Sequence, residues 1–255
     1  MATMKRLLLV GRGGNGLTSC AKSIKEAQTD YTPFKTLAIE CPGVGDTGDG
    51  RRESIESTRY TLKEILKEYN KDGGFNAIAL VLKYGARFTK QEKDAVEEVK
   101  LMFGKNVFQK HGIIIMSYGD LFGLIKETDG PTFMDWVTEQ RGDVEKLFKE
   151  VKRKVYLLDN KTKDMEIKRC QYNDLIECFR YLSEPYTLQD FENARRENLS
   201  ADTSYNDSNL PQEGGSRYQL TNFVKDHPKN VLVLILFLVF AVIVFFILSI
   251  SKTCK

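Results

Sequence analysis

Eight residues, Gly11-Arg12-Gly13-Gly14-Asn15-Gly16-Leu17-Thr18, separate the apolar run Leu7-Leu8-Leu9-Val10 from a polar stretch able to form a helix. A glycine-rich turn between a buried strand and a helix aims backbone N–H groups and the positive helix end at one point, which is the chemistry of phosphate binding. The spacing follows G-x-x-x-x-G-K-[ST] at every position but one, because Leu17 stands where a lysine would meet the phosphates. Thr18 keeps the hydroxyl that this pattern offers to magnesium, and Ser19 follows it. The same glycines, spaced Gly11-x-Gly13-x-x-Gly16, also satisfy the dinucleotide fingerprint, with Glu40 where a ribose-binding acid belongs. The turn alone leaves both nucleotide classes, and a turn without a ligand, open.

Three later segments carry further polar chemistry. Ile39-Glu40-Cys41-Pro42-Gly43 sets an acid three residues before a glycine, a D-x-x-G layout in which a carboxylate holds magnesium; here the acid is one methylene longer. An ordinary Pro-Gly turn explains the segment equally well. Ile113-Ile114-Ile115-Met116 runs into Ser117-Tyr118-Gly119-Asp120, and a carboxylate at such a strand end can accept both N1–H and the 2-amino group of guanine. Val155-Tyr156-Leu157-Leu158 runs into Asp159-Asn160-Lys161, a second polar cluster.

The elements that would position these groups follow from periodicity. Apolar runs near 5–10, 35–41, 76–82, 112–116 and 154–158 read as strands, and they alternate with helix-periodic segments near 53–71, 131–153 and 171–183. A further helix starts at Thr89, where Thr89-x-x-Glu92 has the form of a capping box, and continues through Val96, Val99 and Phe103. This is an α/β pattern: a three-layer, mostly parallel sheet with helices on both faces, of the P-loop NTPase type. The connection from about Ala27 to Phe34 is short, so an edge strand there is expected to be missing or reduced.

Taken together, these segments resemble the GIMAP family, the immunity-associated nucleotide-binding GTPases with an avirulence-induced-gene type G domain. Residues 11–24 resemble the family stretch GRTGNGKSATGNSI, Glu40-Cys41-Pro42-Gly43 its DTPG, and Ser117 to Asp120 its TRKD. Arg87-Phe88-Thr89 through Phe103-Gly104 is similar to the family box containing R-[YF]-T and L-F-G, and Tyr156 to Lys161 to its base-contacting stretch. The resemblance implies GTP or GDP held by residues 11–19 and by Tyr118, Gly119, Asp120 and Asn160, with Mg2+ on Thr18 and Glu40. It also implies assembly into homo- or hetero-oligomers through G-domain faces. Leu17, Glu40 and the short connection alter the parts that sense and hydrolyse a γ-phosphate, so the expectation is binding with weak or absent hydrolysis.

Composition narrows the rest. The formal charge of +3 is carried by Lys225, Lys229, Lys252 and Lys255 against Asp226, leaving residues 1–224 neutral and without a nucleic-acid footprint. The basic run Lys149, Lys152, Arg153, Lys154 reads as a solvated helix face. Five cysteines without a C-x-x-C pair and two isolated histidines give no zinc pattern and point to a reducing, cytosolic setting. Val231 to Ile250 is apolar but for Ser249, and at about 1.5 Å per residue it spans roughly 30 Å, the thickness of a bilayer core. The expected layout is a G domain over 1–192, a flexible polar tether over 193–229, a transmembrane helix over 230–250 and a short tail over 251–255. Because little follows the apolar run, the expected topology is a single-pass C-terminal anchor with a cytosolic N-terminal domain. Three alternatives stay open: a competent slow GTPase, a membrane scaffold that binds no nucleotide, and an NAD-dependent oxidoreductase.

Overall fold

The computed structural model describes residues 3–41, 51–125, 130–182 and 184–208. Five parallel strands, β1 (Thr3–Val10), β2 (Phe34–Glu40), β3 (Ala77–Lys83), β4 (Gly112–Ser117) and β5 (Val155–Leu157), form one sheet in the order β2-β1-β3-β4-β5. The strands lie within a residue or two of their expected positions. Leu7 to Leu9 pair with β2 on one side and Leu7 to Val10 with β3 on the other, and helices pack on both faces of the sheet, which explains the unbroken apolar run. Alternate residues feed two cores. Leu8, Val10, Ile78, Leu80, Ile114 and Met116 face one, and Leu7, Leu9, Ala79, Val81, Ile113 and Ile115 face the other.

The first core is closed by α2 (Arg51–Asn70), α3 (Lys90–Phe103), the short α4 (Val107–Lys110), α6 (Phe133–Glu139) and α7 (Asp143–Glu150). The second is closed by α1 (Leu17–Ala27) and α8 (Met165–Ile176), which a 3-10 turn (Glu177–Arg180) extends. A six-residue helix, α5 (Asp120–Ile125), follows β4, and α9 (Leu188–Ser208) sets Phe191 into the first core. This is the expected three-layer P-loop architecture. Among the described residues, 28–33 alone join α1 to β2 and hold no strand, so β2 is the sheet edge beside β1.

Strand order also separates the two glycine fingerprints. In the dinucleotide-binding fold β1 lies between β2 and β4, whereas here it lies between β2 and β3. The chain reverses direction across the sheet between β1 and β3, and the crevice beyond the C-terminal ends of those strands is where an α/β sheet binds ligands.

Three helix expectations change. Residues 131–153 form two helices, because Gln140 is extended and Gly142 has a positive φ of 74°. The second of these ends at Glu150 in a Schellman motif: Lys152 N–H donates to Lys149 and Arg153 N–H to Phe148. The stop was hidden in the sequence because Lys152 and Arg153, with φ of 55° and 57°, fill left-handed positions that glycine ordinarily marks. The basic run is therefore a helix end and the turn beyond it, not a helix face. The third change concerns residues 193–208, expected within the tether, which belong to α9. The expected transmembrane segment, 230–250, and Pro42-Gly43 lie outside the described residues; no helix among the described residues is long and apolar enough to cross a membrane.

Candidate functional site

The glycine turn leaves β1 at Gly11, where space allows no side chain: a Cβ would stand 2.7 Å from the Val81 carbonyl oxygen of the neighbouring strand. The loop is held by its own side chains. Asn15, buried, donates to the Val81 carbonyl at 3.0 Å and to Glu92 on α3 at 3.4 Å, and Ser117 at the end of β4 donates to the Asn15 carbonyl at 2.6 Å. Arg12 pairs with the same Glu92 at 3.1 Å. The loop ends at Gly16, whose left-handed backbone (φ 87°) starts α1. The first amides of a helix need acceptors, which Thr89, Thr132 and Asp164 supply at α3, α6 and α8. At α1 no side chain does.

The opposite wall comes from the ends of β4 and β5. Gly119 lets them touch: its N–H donates to the Leu158 carbonyl at 2.9 Å, and a Cβ there would meet the Asp159 nitrogen at 2.8 Å. That approach sets Asp120 beside the Asp159-Asn160-Lys161 turn, in which Asp159 accepts from the Lys161 and Thr162 amides. Lys161 Nζ reaches Asp120 Oδ2 at 2.7 Å, and this hydrogen bond pushes the lysine above its ordinary pKa. Asn160 donates to the Cys20 sulfur at 3.3 Å. Asp120 Oδ1 and Asn160 Oδ1 are buried without a partner among the described residues. Tyr118, in a left-handed conformation, lies under the ammonium of Lys83 (4.3 Å to the ring centre) and donates to the Gly14 carbonyl at 3.4 Å.

Gly16, Ser19, Tyr118, Asp120, Asn160 and Lys161 line one cavity of about 140 Å3. It joins an uncapped helix N-terminus, suited to an anion, to two unsatisfied oxygens, suited to N–H donors. A buried acceptor left unpaired costs about 1–3 kcal/mol, so such a pair at one wall marks where a ligand's donors belong. Beside the helix start, Thr18 Oγ1 donates to Glu40 Oε2 at 2.7 Å. A hydroxyl and one carboxylate in contact fit Mg2+, which takes one or two protein oxygens plus phosphate and water. Among the described residues no cluster of three or more His, Cys, Asp or Glu could hold a metal without phosphate.

Of the residues expected from sequence, Gly16, Ser19, Tyr118, Asp120 and Asn160 meet at the cavity, and Thr18 meets Glu40. Gly11 and Gly119 work through close backbone approach. Arg12 is turned away toward α3, so it does not stand in for the missing lysine, and Leu17 packs on the second core among α1 and β1 side chains. Gly13, Gly14 and Asn15 shape the loop behind. The sequence reading missed Glu92. Thr89 does cap α3, accepting from the Glu92 N–H, but the Glu92 carboxylate bonds the glycine turn. The x-x-Glu spacing after a threonine served as the capping signal and masked this second role. Lys83 above Tyr118 gave no signal beyond its place at a strand end.

Known proteins share sequence and fold with this chain. The AIG1 family model matches residues 5–207. Immune-associated nucleotide-binding protein 8 of Arabidopsis thaliana is 26% identical over 244 residues, covering 88% of this chain and 67% of its own length. Immune-associated nucleotide-binding protein 5 of the same plant is 30% identical over 181 residues, covering 66% of this chain and 57% of its own length. The chain thus spans some three-fifths to two-thirds of these curated relatives. Among solved structures, Arabidopsis Toc33 in complex with GDP and Mg2+ shares the fold, at a TM-score of 0.50 and 12% identity over 73% of this chain and 88% of Toc33.

Proposed function

This chain belongs to the AIG1 family, and from that premise we propose that it binds guanine nucleotide, GDP or GTP, and hydrolyses it weakly or not at all. One observation carries the reading: the bare N-terminus of α1 and the free oxygens of Asp120 and Asn160 open on a single cavity. An anion answers the first. A base edge with N–H donors answers the second, and guanine offers N1–H and the 2-amino group where adenine offers no such pair. The names of the curated relatives and the GDP held by Toc33 support the same ligand class.

Weak hydrolysis follows from what surrounds the phosphate end. Phosphoryl transfer depends on cations and dipoles fixed around the transferring group. Here Leu17 contributes none, and Arg12 is committed to Glu92. Mg2+ would supply charge neutralisation to the bound phosphates, and Thr18 with Glu40 would hold it. Ser19 and the α1 amides hold the phosphate end, while Tyr118, pinned by Lys83, walls the base side.

The proposal extends to location and assembly. The apolar run Val231 to Ile250 supports a single-pass anchor on a membrane, with the G domain acting by association with like domains on that surface. The test is the nucleotide content of the full chain purified in neutral detergent. Denaturation should release guanine nucleotide, and phosphate release from added GTP should stay near the rate without protein. An empty chain that ignores millimolar GDP and GTP refutes the binding, and turnover abolished by Thr18→Ala refutes the weak hydrolysis.

A further inference from the structure

A cavity of about 960 Å3 lies at the other end of the strands. It opens where β4 and β5 begin, beside His111 and Lys154, whereas the nucleotide cavity opens where parallel strands end. Three segments send cations into it: Lys110 from the end of α4, Lys149 from the last turn of α7, and Lys152, Arg153 and Lys154 from the turn that follows. Lys149 is paired with Glu145 at 2.7 Å, while Lys110, Lys152, Arg153 and Lys154 form no ion pair among the described residues. Of the two carboxylates on the lining, Glu150 is taken by Lys100 at 3.0 Å, leaving Glu184.

Two features argue against a merely solvated patch. Lys152 occupies the left-handed C′ position of the Schellman motif and Arg153 follows it in a left-handed conformation of its own, where glycine or asparagine would sit with less strain, so the chain keeps charge here against its local backbone preference. Lys154 is half-buried, and its ammonium is pushed below the usual lysine range by burial, with Lys152 adding repulsion. Four cations without ion-pair partners, set against one lining carboxylate, Glu184, leave a net positive local field that a compact polyanion would neutralise.

We infer that this cleft binds a clustered phosphate group, either the headgroup of a polyphosphorylated lipid or a free polyphosphate of the same chemistry. Lysine-dominated lining suits phosphate, which lysine meets as a point charge, over planar carboxylates, which favour arginine forks. Each phosphate monoester carries about −1.5 to −2 charge, so a headgroup with two of them matches the four unpaired cations in one cleft. Extended acidic peptides spread their charge along a strand and fit this concavity less well. The Tyr156 and Tyr181 hydroxyls on the wall add neutral donors, and burial keeps Tyr156 protonated.

The test titrates the full chain, in neutral detergent at low salt, with inositol hexakisphosphate and separately with short-chain phosphatidylinositol 4,5-bisphosphate, following heat of binding and melting temperature. Binding is expected for at least one probe, weakening as salt rises; the lipid arm binding supports a membrane headgroup, and the free arm alone supports a soluble polyphosphate. The double variant Lys152→Asn, Arg153→Asn should lose about tenfold in affinity with an unchanged or raised melting temperature, because asparagine tolerates the left-handed backbone. The inference is overturned if neither probe binds at millimolar concentration, if the double variant binds as tightly as the parent, if saturating GDP displaces the probe, or if a polyglutamate peptide binds more tightly than both.

Discussion

Leu17→Lys puts a cation back where the phosphate pattern calls for one, and its outcome can be worked from the structure. Leu17 is only partly buried, packed on the core beside Cys20 and approaching the turn at Gly11. A lysine stem can follow much of that path and keep its methylene contacts while the ammonium reaches out. The change should therefore cost on the order of 1 kcal/mol of folding stability, the value of about one buried methylene. Against that, one charge-assisted contact to phosphate oxygens contributes about 1.5–3 kcal/mol to binding, a tightening of roughly ten- to 150-fold. The assay is a fluorescence titration of parent and variant full chains with labelled GDP and a non-hydrolysable GTP analogue, with thermal melts of both. A variant that melts within a few degrees of the parent yet gains less than about threefold for either nucleotide would refute the placement of phosphate at the start of α1.

Asp120→Asn exchanges an acceptor for a donor at the unsatisfied oxygen, so GDP affinity should fall by about 1.5–3 kcal/mol while xanthosine diphosphate, with a carbonyl at that edge, gains; competition titration decides, and equal loss of both nucleotides would contradict the base assignment. Glu92→Gln removes the carboxylate that holds Arg12 and Asn15, and in this half-buried setting the loss should be about 1–2 kcal/mol of stability, read as a lower melting temperature that saturating GDP partly restores. His111, buried against Tyr186 with Nδ1 on the Glu184 carbonyl, has its pKa lowered chiefly by burial. Its neutral form is the folded form, so its contribution is present above pH 6.5, the ordinary value, and is lost as pH falls below it; thermal melts from pH 7.5 to 5.5 should fall less steeply in His111→Gln.

The legible parts of this molecule were those where one local signal has one reading. Unbroken apolar runs such as Leu7 to Val10 and Ile113 to Met116 could only be strands covered on both faces, and the short link between α1 and β2 had no room for another strand. The cavity residues were legible because each lies in a segment that follows the C-terminal end of a strand, where the polar groups of a parallel sheet collect. What stayed hidden depends on contacts distant in sequence or on a backbone choice the residue type disguises. Glu92 lies 80 residues from Arg12, and nothing local distinguishes a glutamate that returns to its own helix start from one that reaches a neighbouring loop. Lys152 and Arg153 hid a helix end because a Schellman motif is recognised by its glycine, and here there is none.

That hidden glutamate bears on how a phosphate loop works without its lysine. In the usual arrangement the lysine bridges loop and ligand, so ligand binding helps order the loop. Here the loop is ordered from behind: Glu92 holds Arg12 and Asn15, Val81 holds Asn15, and Ser117 holds the Asn15 carbonyl. A loop already fixed by protein partners loses little conformational freedom on binding, which offsets part of the missing charge. It also gains nothing that appears only as the phosphoryl group transfers, since none of these partners points at the cavity. Preorganisation of this kind favours ground state and transition state alike and so raises affinity without raising rate.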